Sequence, residues 1–210
     1  MSALQMTCGQ TTCGPSEAAS TPVLETERLI LRVPNLGDAK AVAALANNRK
    51  IAEMTLLIPH PYGIEDAAQW IATPPAETRH WKFGIYAGDD GFVGACGFTQ
   101  RDEGLTIGYW VGEPFWGRGY ATEAARAMID HIFSTTSDLD AIAANCRVTN
   151  PASRRVLEKC GFQWTGVALG RIRSLGASTP VDQFRLERKT WASLRAWGQS
   201  RMPKVASSRP

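Results

Sequence analysis

The spacing of apolar positions changes several times along the chain, and each change marks a predicted element. A short apolar run, "RLILRV" (28–33), predicts a strand, and "GDAKAVAALANN" (37–48) follows with alanine and leucine at helical spacing and Asp38 suited to the first turn. "GIEDAAQWIA" (63–72) predicts a second helix carrying Ile64, Ala67, Ala68 and Ile71 on one side, stopped by "TPP". The period then drops to two. "WKFGIYA" (81–87), "GFVGACGFTQ" (91–100) and "LTIGYWVG" (105–112), joined by "GDD" and "RDEG", predict an antiparallel meander. On its third strand Ile107, Tyr109 and Val111 share one face, and Thr106, Gly108 and Trp110 the other.

Helical spacing returns from Gly119 to Phe133, where Ala121, Ala124, Ala125, Met128, Ile129 and Ile132 form a stripe wide enough to cover a sheet. A strand at "DAIAANCRV" (140–148) and a helix at "NPASRRVLEKCGF" (150–162) follow, with late strands expected around 162–174 and 182–191. Helix 119–133 is long enough to cross over between parallel strands, so the expected architecture is α/β, a mixed central sheet with helices on both faces. Ligands of such sheets bind beyond the carboxyl ends of parallel strands, where the strands part.

Composition narrows the classes. With 210 residues, 44% hydrophobic and 20% charged, the chain can bury a full core. The formal charge of +3 comes without a dense Lys/Arg run, so no direct nucleic-acid binding is expected. Residues 1–23 read as a polar flexible leader with no secretory pattern, 24–195 as one domain, and 196–210 as a flexible basic tail. No apolar run spans a membrane, and none of Cys8, Cys13, Cys96, Cys146 and Cys160 is spaced for a zinc site or disulfide framework. A reduced cytoplasmic protein without metal is the expectation.

The stretch "EPFWGRGYATEAARAMI" (113–129) joins a glycine-rich turn to a helix start. The first turn of a helix leaves amides without internal partners, and its dipole favours an anion there. Gly117 and Gly119 permit a tight turn and a close approach to phosphate oxygens, while Arg118 either adds charge or faces solvent. The stretch matches neither GxxxxGK[ST] nor GxGxxG.

Together, "IGYWVGEPFWGRGYATEAARAMI" and "RVTNPASRRVLEKCGF" resemble the GCN5-related N-acetyltransferase (GNAT) superfamily, over about residues 24–195, and look closest to the branch that acetylates N-terminal amines of ribosomal proteins. The resemblance implies the acyl-CoA N-acyltransferase fold, acetyl-CoA as donor and an amine acceptor, with monomer or homodimer both open. It implies that the amides of Trp116, Gly117, Arg118, Gly119, Tyr120 and Ala121, with Thr122 next in the helix, hold the pyrophosphate. Trp116 departs from the Gln or Arg usual at its position. Val111 matches the strand residue that pairs with the pantetheine arm, Asn150 the asparagine that contacts the cofactor, and Ser153 the helix position facing the thiol. Many relatives carry a Tyr where this chain has Val156 and Leu157, which leaves Ser153 first and Tyr109 second as proton donor to the leaving sulfur.

Glu113 is the candidate base, its alternative being a cap or salt bridge at the turn. Arg154, Arg155 and Lys159 make one helix basic, and Arg155 is a candidate contact to a coenzyme A phosphate or part of a solvated face. The acceptor is expected against the segment 54–67, with His60 and Tyr62 as specificity residues, and against the loop near 171–180. A protein N-terminus, a small amine such as a polyamine, amino acid or antibiotic, and a non-catalytic acyl-CoA sensor all remain open.

Overall fold

The computed structural model describes residues 22–74, 80–101 and 104–200. Most of the expected leader, the last ten residues of the expected tail and the middle of the expected "RDEG" turn lie outside the described residues. Eight strands form one sheet: β1 Leu24–Glu25, β2 Leu29–Arg32, β3 His80–Ala87, β4 Gly91–Arg101, β5 Gly104–Val111, β6 Ala141–Arg147, β7 Gln163–Ile172 and β8 Ala177–Glu187. Their order is β1-β2-β3-β4-β5-β6-β8-β7, and every neighbouring pair is antiparallel except β5 with β6. The sheet is mixed because the connection after β5 contains the crossover helix.

The helices are α1 Ala39–Ala46, α2 Arg49–Met54, α3 Ile64–Ala72, α4 Tyr120–Thr135, α5 Pro151–Lys159 and α6 Arg188–Ser200. Two apolar clusters divide them between the faces. Helices α4 and α5 cover one face, where Met128, Ile129, Phe133 and Leu157 bury against Ile85, Ile107, Ile142 and Phe184. Helices α1 and α3 cover the other, where Val42, Ala46, Ala67 and Ile71 meet Phe92 and Ala95. Strand β4 is apolar or glycine over Phe92–Phe98 and buried throughout, as a strand sandwiched on both faces must be.

Four local expectations are corrected. Ile64, at the first position of α3, is 53% exposed, so the buried stripe of that helix rests on Ala67 and Ile71. In α4, Ala121 and Ile132 are only half-buried, and Phe133 joins the stripe. Helix α2 occupies a stretch not expected to be helical, because Asn48 accepts from the amides of Lys50 and Ile51 and starts it. The last strand ends at Glu187 rather than 191, and α6 runs across the expected boundary at 195. Arg188 turns the chain there. Its guanidinium donates to the carbonyls of Phe133 (2.7 Å), Leu139 (2.8 Å) and Thr136 at the end of α4, while its amide donates to Asp140 O.

Candidate functional site

Strands β5 and β6 pair over only three positions, Leu105 with Ile142, Thr106 with Ala143 and Ile107 with Ala144. Beyond Ile107 they part. Gly112 donates to Val93 O, and Gly94 stands opposite Val111, so the alternation of the antiparallel ladder turns the Val111 amide away from β4 toward the opening. Its carbonyl takes the indole N–H of Trp116 at 2.6 Å. The tryptophan that stands where Gln or Arg is usual therefore supplies a donor of its own, to the backbone of β5.

At the foot of the same opening lies the turn before α4. Gly117 (φ 78°) and Gly119 (φ 83°) both adopt left-handed backbone, which side-chain-bearing residues resist. A Cβ at Gly117 would meet nothing within 4 Å, so this side of the turn is open to a ligand. Among the described residues the amides of Gly117, Arg118, Gly119, Tyr120 and Ala121 have no acceptor, while those of Thr122 and Glu123 turn back to Gly119 O. Arg28 holds the turn from outside, donating to Arg118 O (2.9 Å) and pairing with Glu123 (2.6 Å). Arg118 itself pairs with Asp90 at 3.2 Å, so its side chain is committed away from the helix start.

A cavity of about 660 Å³ runs through the opening. Thr106, Gly108 and Trp110 line it on the α1–α3 face, and Ser153 and Leu157 of α5 line it on the other, so it joins the two faces of the sheet. Tyr109 also lines it, its hydroxyl 3.0 Å from Ser153 Oγ and 3.2 Å from Ser153 O. Burial pushes the Tyr109 phenol well above its ordinary range, so it stays a protonated donor at neutral pH. The two candidate acids are thus one hydrogen-bonded pair.

The other expected residues divide: Asn150 and Tyr62 stay with the opening, and Arg155, Glu113 and His60 do not. Asn150 caps α5, its Oδ1 accepting from the Ser153 amide at 3.0 Å, and Arg155 is exposed on the same helix. Glu113 does not line the cavity. It accepts from Asn48 Nδ2 (2.7 Å) and Lys50 Nζ, and the lysine, followed by the asparagine, holds its carboxyl below its ordinary range. The geometry matches the salt-bridge alternative, and a lowered carboxyl is a weaker base. Tyr62 is buried and lines the cavity, whereas His60 is exposed and does not.

The thiols of Cys96, Cys146 and Cys160 are all buried and pushed up by burial, the latter two to about 11, against activation as nucleophiles. The described residues contain no group of three or more His, Cys, Asp or Glu placed to hold a metal, and no helix long and apolar enough to cross a membrane.

Residues 28–163 match the acetyltransferase (GNAT) domain model. The chain belongs to the GNAT family. It is 34% identical over 168 residues, 77% of this chain and 93% of the other, to the Bacillus subtilis (strain 168) protein described as uncharacterized N-acetyltransferase YoaA. A shorter stretch of 77 residues, 35% of this chain and 42% of the other, is 31% identical to the ribosomal-protein-serine acetyltransferase of Escherichia coli (strain K12). Among solved structures, RimL, the ribosomal L7/L12 alpha-N-protein acetyltransferase in complex with coenzyme A, superposes with a TM-score of 0.68 at 18% identity, covering 79% of this chain and 98% of that one. This GNAT chain is accordingly an acetyltransferase.

Sequence reasoning reached the turn before α4, Tyr109 and Ser153, but not Arg28, Lys82, Arg147 or Arg173. Arg147 alone left a local signal: the alternation of β6 puts it with Asn145 on the face opposite Ile142, Ala144 and Cys146.

Proposed function

We propose that this domain transfers the acetyl group of acetyl-CoA directly to a primary amine, the two substrates meeting within the β5–β6 opening. The observation that carries the reading is the cavity that passes through the sheet beside the Tyr109–Ser153 pair. Acetyl-CoA supplies a thioester whose carbonyl carbon accepts the amine as the carbon–sulfur bond breaks. The five free amides from Gly117 to Ala121 suit its pyrophosphate, and their backbone origin explains why Trp116 is tolerated beside them. The Val111 amide, turned to the opening, is placed to pair with the pantetheine arm and to polarise the carbonyl oxygen.

Holding amine and thioester together replaces much of what a covalent intermediate would do. Tyr109 donates a proton to the departing sulfur, and Ser153 relays its replacement from solvent. The amine, neutral when it attacks, releases one proton to water while the sulfur takes one from Tyr109 and Tyr109 regains one from water through Ser153, so the protons balance without a strong base in the chain. This fits a Glu113 tied to Lys50.

An N-terminal α-amine of a protein is the first acceptor class, supported by the names of the RimL and Escherichia coli relatives. A small free amine is the second, supported by a cavity of about 660 Å³ beside the opening, room enough for such a molecule. Incubation with acetyl-CoA and a panel of N-terminal peptides, lysine peptides, amino acids and polyamines tests the proposal, with thiol release and acceptor mass as readouts. Thiol release matched by an acetylated amine is expected. Acetyl-CoA binding without transfer to any amine would favour the sensor reading instead.

A further inference from the structure

Among the described residues the wall of the cavity on the α1–α3 face carries four cationic side chains, Lys82, Arg101, Arg147 and Arg173, and one carboxylate, Asp66. Asp66 already accepts from the Gly63 amide at 2.9 Å. None of the four cations has an ion-pair partner among the described residues.

Two of the cations are held by carbonyls. Lys82 is 6% exposed and donates to Trp70 O and to Thr73 O, the latter at 2.5 Å, at the end of α3. Arg147, the last residue of β6, donates from Nη1 to Glu53 O at 2.9 Å, while its Nε is buried without any partner. Carbonyls satisfy donors without neutralising charge, and a buried donor left unpaired is costly.

Arg173 comes to the same place. Its amide donates to Leu56 O and the next residue, Ser174, donates to Ala52 O at 2.9 Å, so the turn after β7 docks on the end of α2 as Arg147 does. Both arginines therefore line the cavity beside the end of α2 and the residues after it, near the carboxyl end of β6, where ligands of such sheets bind.

These cations do not belong to the coenzyme phosphates. The strand alternation places Lys82, Arg101 and Arg147 on the face opposite α4 and α5, with Arg173 held to the α2 side, whereas the free amides lie at the start of α4. The sheet stands between the two positive regions.

We infer that the acceptor carries an anionic group of its own, a carboxylate in the simplest case, seated against Arg147 and Arg173 while its amine reaches the opening. Two sources share this chemistry: the carboxylate of a free amino acid, and an acidic side chain close behind a protein N-terminus. A polyamine or a lysine-rich peptide end is disfavoured, because it adds positive charge to a cavity already lined by it. The inference rests on amine acetylation as proposed above, and it selects among amines.

Matched acceptors test it with the full chain and acetyl-CoA. An amino acid is compared with its methyl ester and amide, and a short peptide bearing Asp or Glu at its second and third positions with the Gln and Lys versions. Within each set the anionic member is expected to have a kcat/KM about tenfold or more above the others, since a hydrogen-bonded charge pair is lost with the carboxylate. The set that shows the larger ratio identifies the source.

Arg173→Gln, on an exposed turn, and Arg147→Gln should each lower kcat/KM on the anionic member by about tenfold while changing the neutral member less than about twofold. An equal fall on both members would mark a structural effect and overturn the inference, as would neutral or cationic acceptors used equally well or better. Transfer to none of the amines, with acetyl-CoA binding intact by calorimetry, would instead remove the acetylation reading on which this one stands.

Discussion

The two sides of the β5–β6 opening are built from different materials. Toward α4 the site is backbone: five free amides held in place by two left-handed glycines and braced by Arg28 from behind. Toward α1–α3 it is side chain: Lys82, Arg101, Arg147 and Arg173 arrive from separate elements and converge on one cavity. The backbone side fits a ligand that never changes, because amides tolerate most substitutions around them. The side-chain side can be retuned one residue at a time, as a wall proposed to choose the acceptor must be.

The largest effect is expected between the two sides, at the Tyr109–Ser153 pair. Tyr109→Phe should lower kcat by about 100-fold, the scale of a positioned proton donor, with acetyl-CoA affinity nearly unchanged. Ser153→Ala should follow with a smaller loss, as befits a relay. Full turnover in both variants would remove the pair from the chemistry. Burial raises the Tyr109 pKa, so the protonated acid persists upward in pH: activity should climb as the amine deprotonates, with no loss assignable to Tyr109 below about pH 10.

On the backbone side, Gly119→Val forces a β-branched residue to φ 83°, strain on the order of 1–3 kcal/mol, and should weaken acetyl-CoA binding by about tenfold or more. Calorimetry on the folded variant checks it, and unchanged affinity would move the phosphates elsewhere. Trp116→Phe removes only the indole donor to Val111 O, and about a threefold loss of affinity is expected from one neutral hydrogen bond.

The smallest effects sharpen the acceptor side. Tyr62→Phe should alter the ratio of kcat/KM between acceptors by a few-fold, because its hydroxyl belongs to a cavity-lining residue, while His60→Ala should leave every ratio within about twofold. Equal proportional changes on all acceptors in the Tyr62 variant would assign that residue to packing.

The same contrast explains what could be read in the sequence. The meander, the crossover helix and the glycine turn are local patterns, each complete within one stretch, and the meander strands and the start of α4 fall within a residue or two of the positions expected, whereas the last strand, Ala177–Glu187, starts five residues early and ends four residues early. The mixed sheet followed from one connection long enough to contain a helix. Helix α2 has six residues, too few for a period to show, and depends on a single asparagine cap. Helix α6 begins without a break after β8, held by Arg188 on carbonyls some fifty residues earlier. Lys82 and the three cavity arginines lie in four separate segments of the chain, so no motif could gather them. Glu113 illustrates the converse: its place in the sequence put it near the turn, but only the fold brought Lys50 to it.

The central claim is direct transfer through the opening, and initial-rate kinetics with both substrates varied, combined with intact mass measurement after acetyl-CoA alone, tests it most directly. Intersecting reciprocal plots and a protein of unchanged mass are expected, since both substrates must be bound together and the thiols of Cys96, Cys146 and Cys160 are held protonated by burial. Parallel plots with an acetyl group trapped on a cavity residue such as Cys146 or Ser153 would contradict the account.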